Sequence, residues 1–156
     1  MKVSIIGQGY VGLSLAISAA KAGHEVVGFD VNSDLVSQLA AGKSHVEGVE
    51  LAGIGNYKAT SDAAAIDGAE VVIISLGSND HKGVKTYNEL YKLRERIKAQ
   101  RVYWVLPNPE KFPKQAEDVK LISVTFGDFV ITPTRYQADK VHPSWAGYKE
   151  IADEAK

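Results

Sequence analysis

Three glycines and one acid carry the clearest chemistry in this chain. Gly7-Gln8-Gly9-Tyr10-Val11-Gly12 follows a short apolar run, Val3 to Ile6, and opens a helical pattern. In that setting each glycine has its own task. Gly7 permits a tight turn, Gly9 removes the Cβ that would keep a pyrophosphate off the backbone, and Gly12 lets helix and strand approach closely. The unpaired N–H groups at the start of the helix, where Tyr10 and Val11 lie, then face an anion together with the positive end of the helix dipole. Asp30 ends a second apolar run, Val26 to Phe29, roughly 20 residues on, where its carboxylate can accept ribose hydroxyls and repel a 2′-phosphate. The expected cofactor is NAD rather than NADP, held through its adenosine diphosphate half by Gly7, Gly9, Tyr10, Val11, Gly12 and Asp30. The plainer alternative is that the glycines only make a turn and Asp30 only caps a strand.

The elements that must position these residues follow from periodicity. Val3 to Ile6 reads as a strand, Val11 to Ala20 as a helix closed by Gly23, and Val26 to Phe29 as a second strand. Asn32 suits an N-cap for a helix that Gly42 ends, and Lys43 to Gly55 has glycines without a period, which predicts a loop. Tyr57 to Thr60 predicts a short edge strand, Ser61 to Ile66 a short capped helix, and the branched run Val71 to Ile74 a buried strand. Tyr87 to Ile97 marks an amphipathic helix with a solvated charged face, followed by a strand at Val102 to Leu106 and a proline-rich loop. A helix over Lys114 to Phe126, closed by Gly127, and a strand at Phe129 to Thr132 come next. The last helix is expected to start at Pro143, with Trp145, Tyr148 and Ile151 on its core-facing side.

Bulk properties bound the function. The 156 residues, 45% hydrophobic and 24% charged, suit one α/β domain and leave no room for a second. Eighteen basic against nineteen acidic residues give a formal charge of -1, so no overall field favours nucleic acid or an anionic membrane. There is no cysteine, which excludes disulfides, thiolate metal sites and a cysteine nucleophile. The first apolar run lacks the marks of a leader and no run approaches a spanning helix, so a cytoplasmic location and a small-molecule partner, nucleotide or ester, are expected.

The front of the chain resembles a known family. Gly7 to Ala16, Gly23-His24-Glu25-Val26-Val27-Gly28-Phe29-Asp30, Ala41 to Glu47, Tyr57 to Asp62 and Ala69 to Ser75 are similar to the N-terminus of the UDP-glucose/GDP-mannose (nucleotide-sugar) dehydrogenases. That resemblance implies a Rossmann front end and NAD. The family oxidises its substrate with a cysteine nucleophile and a substrate-binding domain, which these residues do not supply. The expectation is therefore cofactor binding without dehydrogenase chemistry.

The remainder resembles something else. Gly77-Ser78-Asn79-Asp80, Trp104-Val105-Leu106-Pro107 and Asp139-Lys140-Val141-His142-Pro143 are similar to motifs of the SGNH (GDSL-type) hydrolases. The resemblance implies acyl transfer, with His142 as base, Asp139 orienting its imidazole, Asn79 as an oxyanion donor and Asp80 holding the loop. The nucleophile is missing: where that family has Gly-Asp-Ser, this chain has Gly7-Gln8-Gly9. Ser14 is expected to point elsewhere from inside its helix, and Gly53 or Gly55 is the candidate second oxyanion donor. Ester hydrolysis is accordingly expected to be weak or absent. Read plainly, these motifs are a polar turn and a helix start with an exposed histidine. His24, His45 and His81 lack metal-ligand spacing and are expected in exposed loops.

The two resemblances meet between Ser75 and Leu76, inside one strand, as in a recombined or constructed chimera. Joining there preserves the neighbours of the first strand in both parent sheets. The expected fold is a single doubly wound α/β sandwich of three layers with five or six parallel strands in the order 3-2-1-4-5-6. Three functions follow: a nucleotide-binding module, an SGNH-type esterase lacking its serine, and a scaffold with no ligand.

Overall fold

In the computed structural model, which describes residues 1–78, 80 and 83–155, six strands form one parallel sheet. They are β1 (Lys2–Ile6), β2 (Glu25–Phe29), β3 (Tyr57–Thr60), β4 (Val71–Ile74), β5 (Arg101–Val105) and β6 (Phe129–Ile131). Their spatial order is β3-β2-β1-β4-β5-β6. The helices are α1 (Tyr10–Lys21), α2 (Ser33–Ala40), α3 (Thr86–Arg96), α4 (Pro113–Phe126) and α5 (Trp145–Glu154), and a single 3-10 turn spans Ala63–Ile66.

The period of two along each strand divides the apolar residues between two faces. In register, Ile5, Ile73 and Tyr103 join Leu15, Tyr148 and Ile151 from α1 and α5 on one side. Ile6, Ile74 and Trp104 join Leu90, Val119 and Ile122 from α3 and α4 on the other. A parallel sheet covered on both faces explains why β4 is apolar throughout and β1 and β5 nearly so. Beneath β5 and β6, the Arg94 guanidinium grips Asp128 through both carboxylate oxygens, at 2.6 and 2.7 Å, and the Trp104 indole N–H donates to the same carboxylate at 2.9 Å.

β1 and β4 are adjacent, paired from Val3↔Val71 to Ile6↔Ile74. The chain leaves β1 toward β2 on one side, and β4 lies on the other. This is a topological switch point, where α/β sheets open a crevice at the carboxyl ends of their strands.

Local chemistry accounts for the element ends. Asn32 caps α2 by accepting from the N–H groups of Asp34 and Leu35, and Asp62 accepts from Ala64 ahead of the 3-10 turn. Gly127 closes α4 in the left-handed conformation, φ 70°.

Two expectations are corrected. The last helix begins at Trp145, capped by the Ser144 hydroxyl, which accepts from the Gly147 N–H. Of the three, Tyr148 and Ile151 face the core; Trp145 is 68% exposed, its ring meeting Tyr148 edge-on and lying beside Gly48. The loop from 43 to 55 forms as expected, and within it Val46, Val49 and Leu51 close a third apolar cluster with Leu13, Ile17 and Leu39. Without a period these residues carry no helical or strand signal, yet a loop folded back on α1 and α2 buries them. Among the described residues no helix is long and apolar enough to cross a membrane.

Candidate functional site

A cleft of about 330 Å³ opens at the switch point. The glycine turn forms one wall: Gly7, Gly9, Tyr10, Val11 and Gly12 line it, with Asp30 beyond. Gly7 leaves β1 at φ +88°, and a Cβ on it would stand 2.7 Å from the Ser75 carbonyl oxygen. A Cβ on Gly12 would stand 1.7 Å from the Gly7 carbonyl oxygen, so the first turn of α1 rests directly on the turn before it. Gly9 differs. It is the N-cap of α1, with no side chain capping the helix, and nothing lies within 4 Å of its Cβ position. This first turn lines the cleft, and its leading backbone N–H groups have no acceptor within their own helix.

Asp30 accepts from the Gln8 N–H at 2.7 Å and from the Asn32 N–H at 2.9 Å, one on each carboxylate oxygen. Each oxygen retains a further acceptor site. Motif spacing gives no hint of the part played by Gln8, which is fully buried: its Nε2 donates to the Ile5 carbonyl at 2.9 Å and its Oε1 accepts from the Tyr57 hydroxyl at 2.8 Å. Burial, and then the charge of Asp30, raise the Tyr57 phenol above its ordinary value, so it stays a neutral donor. The signal in the sequence was Gly28, the residue opposite, where a Cβ would sit 2.4 Å from Gln8 Oε1.

The opposite wall comes from the ends of β4 and from the loop before α5: Ser75 to Ser78, Asp80, Val141 and His142. Asp139 lies behind His142, with its Oδ2 2.6 Å from Nδ1 and its Oδ1 accepting from the N–H groups of Val141 and His142. These bonds, the one to the imidazole first, hold the Asp139 carboxyl down at about 2. It is thus an acceptor at neutral pH, and Nδ1 carries the proton it accepts. The His142 ring lies 4.6 Å from that of Tyr10, so the loop and the glycine turn meet across the cleft.

The structure thus brings Gly7, Gly9, Tyr10, Val11, Gly12, Asp30 and His142 to one cleft, with Asp139 bonded behind. Asn79 and His81 lie outside the described residues. Gly53 and Gly55 do not line the cleft. Ser14 is buried and donates to the Tyr10 carbonyl at 2.7 Å, away from the open side. Asp80 accepts from the Thr86 hydroxyl at 2.5 Å, tying its loop to the start of α3. His45 departs from expectation: rather than standing free in a loop, it meets the Tyr10 ring edge-on at 5.8 Å, and burial pushes its imidazole below the ordinary value. Among the described residues there is no cluster of three metal-ligating side chains.

Residues 1–99 match the family described as UDP-glucose/GDP-mannose dehydrogenase family, NAD binding domain. The chain belongs to this family. Its match to the NAD-binding domain continues past Ser75 and through α3, so the dehydrogenase-like part is longer than its motifs indicate. GDP-mannose 6-dehydrogenase of Pseudomonas putida is 37% identical over 90 residues, which cover 53% of this chain and 20% of that protein. UDP-N-acetyl-D-mannosamine dehydrogenase of Pyrococcus horikoshii is 31% identical over 81 residues, 47% of this chain and 19% of that protein. The chain therefore spans about a fifth of the length of these curated relatives.

Among solved structures, glycerol-3-phosphate dehydrogenase of Coxiella burnetii superposes with a TM-score of 0.60 at 20% identity, covering 84% of this chain and 39% of that one. The ternary complex of GDP-mannose dehydrogenase from Pseudomonas aeruginosa gives 0.55 at 21% identity over 99% of this chain and 44% of that one. At such identities they speak for the fold alone. The hydrolase resemblance of the back half draws no support from these relatives.

Proposed function

We propose that this member of the family binds NAD through its adenosine diphosphate half, with the pyrophosphate over Gly9 and Gly12 at the start of α1 and the adenosine ribose on Asp30. The observation that carries this reading is the bare Gly9 position at an uncapped helix N-terminus, beside a carboxylate with acceptor sites to spare. The residues fit the group: the Gly9 backbone would take phosphate oxygens and Asp30 the ribose hydroxyls. NAD when bound supplies hydride chemistry; this chain's own residues orient it and set its preference over NADP. The cleft is at the small end of the roughly 300–1,000 Å³ usual for small-molecule sites, which favours half a dinucleotide over a whole one enclosed. The unbroken sheet supports reading residues 1–156 as one domain.

Calorimetric titration with NAD, ADP and NADP tests the proposal. NAD and ADP should bind, NADP more weakly. Asp30→Asn should weaken NAD by about tenfold, the worth of a charge-assisted hydrogen bond. Absence of heat up to millimolar ligand from a folded protein removes the reading.

A second reading, an SGNH-type ester hydrolase without its serine, rests on the 2.6 Å contact of Asp139 with His142 in the same cleft as Gly9. Open space at the Gly9 Cβ position admits a serine, whereas changing Gln8 would break buried hydrogen bonds. Gly9→Ser alone is therefore the cleaner test. Turnover of a chromogenic acetate that appears in Gly9→Ser and vanishes on adding His142→Ala supports this reading; a folded but silent Gly9→Ser counts against it.

A further inference from the structure

His142 is the one side chain able to carry a positive charge among the described residues that line the cleft. Its fellow lining acids are Asp30 and Asp80, so a pyrophosphate entering here meets helix N–H groups, two carboxylates and this imidazole. The ring is fixed in two ways: Asp139 holds Nδ1 at 2.6 Å, and the Tyr10 ring lies 4.6 Å away at the first residue of α1. Tyr10 is thus the surface that brings the imidazole beside the phosphate-facing turn.

We infer that His142 is a specificity-determining phosphate contact of the nucleotide site, one that makes NAD binding tighten as pH falls. This rests on the nucleotide-binding reading above. The coupling follows from the tautomer that Asp139 imposes. An ionised carboxylate can only accept, so in the neutral ring the single proton stays on Nδ1 and Nε2 presents a lone pair. A phosphate oxygen is an acceptor as well, and two acceptors repel. Donation from Nε2 to a phosphate requires the second proton, and with it a charge-assisted hydrogen bond is gained. The bound anion therefore favours imidazolium, and linkage requires affinity to rise as the pH falls.

The other groups that face His142 are accounted for. Asp139 is held near 2 and stays ionised throughout that range. Lys140, on the same loop, pairs with Glu110 at 3.1 Å. From α1 comes Tyr10, and from α5 Tyr148, whose hydroxyl reaches the Tyr10 carbonyl and whose phenol burial raises. His45 lies against Tyr10 as well, and burial keeps it below the ordinary imidazole value.

The test is NAD affinity by calorimetry from about pH 5.5 to about pH 8.5, the window in which an imidazole changes charge. NAD is the probe because its pyrophosphate diester stays ionised across the window, with adenosine as the phosphate-free control. The native chain should bind NAD about fivefold to tenfold more tightly at the acid end, a hydrogen bond to a charged group discounted for partial exposure. Adenosine affinity should not change. His142→Gln, whose amide does not change charge, should be flat with pH. Asp139→Asn should vary less with pH and bind more tightly than the native chain at the alkaline end, because an amide N–H donated to Nδ1 moves the ring proton to Nε2, which then donates from the neutral ring. A merely structural dyad would give no such gain. A pH slope that survives His142→Gln, or an Asp139→Asn that binds weakly at every pH, overturns this inference and leaves the nucleotide site standing. NAD binding that fails at all pH values in a folded protein overturns both.

Discussion

The glycine turn on one wall of the cleft is enforced by backbone contacts, whereas the Asp139–His142 loop on the other wall is held by side-chain hydrogen bonds in solvent. Carbonyl oxygens stand where the Cβ atoms of Gly7 and Gly12 would be, and Gln8 between them is fully buried. Asp139 and His142 retain 44% and 30% of their side-chain exposure, and the loop passes through Lys140 at φ 56°, a left-handed conformation for a residue other than glycine. At Gly7 and Gly12 one wall tolerates no change of shape; the other depends on a few polar bonds. Under the functions proposed above, a site built this way separates what fixes the ligand's position from what tunes its affinity.

The sharpest way to break that contrast is Gly12→Ala. With the new Cβ 1.7 Å from a backbone oxygen that cannot swing aside, the loss should be about 3 kcal/mol or more, read from urea unfolding. A loss under about 1 kcal/mol would show that the turn can yield, and that the two walls are alike. His142→Ala in the same assay should change stability by no more than about 0.5 kcal/mol, as for other partly exposed surface changes.

Stability in the back half resides elsewhere, in the ion pair beneath β5 and β6, where Arg94 is 14% and Asp128 4% exposed. Asp128→Ala leaves the guanidinium and the Trp104 N–H without their shared acceptor, and should cost about 3 kcal/mol. Its effect on NAD affinity should be within twofold, since Asp128 precedes β6 at the sheet edge opposite the cleft. An equal loss of affinity would mean that the foot of the sheet and the cleft move together.

The sheet was legible in advance because its determinants are local and repeated. Most strands carry a short apolar run, unbroken in β4, and the glycines announce the turn by their spacing, which sterics demand at Gly7 and Gly12. The outer limits of α5 and the exposure of Trp145 were not legible, because the outward turn of a helix depends on where the strands beneath it stop. Val46, Val49 and Leu51 were likewise invisible, since burial in a loop obeys no period. That Asp139 and His142 meet can be read from their spacing, three residues apart on one loop. That the pair lies against Tyr10 cannot, for it depends on α1 and α5 sharing a face of the sheet. The family match to residue 99 shows the corresponding limit: relatedness extends past Ser75, where the last dehydrogenase-like motif ends.

Gln8 offers the finest adjustment of the comparison. Its amide bridges the glycine wall to the edge strand, taking a hydrogen bond from Tyr57 on β3 and giving one to the Ile5 carbonyl on β1. Tyr57→Phe removes the hydroxyl and leaves Gln8 Oε1 without that donor in a fully buried position, a loss expected to be about 1–2 kcal/mol. Neither Tyr57 nor the Gln8 side chain lines the cleft, and the Gln8 N–H keeps its bond to Asp30, so NAD affinity should stay within twofold. If Tyr57→Phe instead lowers affinity while sparing stability, the glycine wall is not set by sterics alone, and its polar underside tunes the ligand as the histidine wall does.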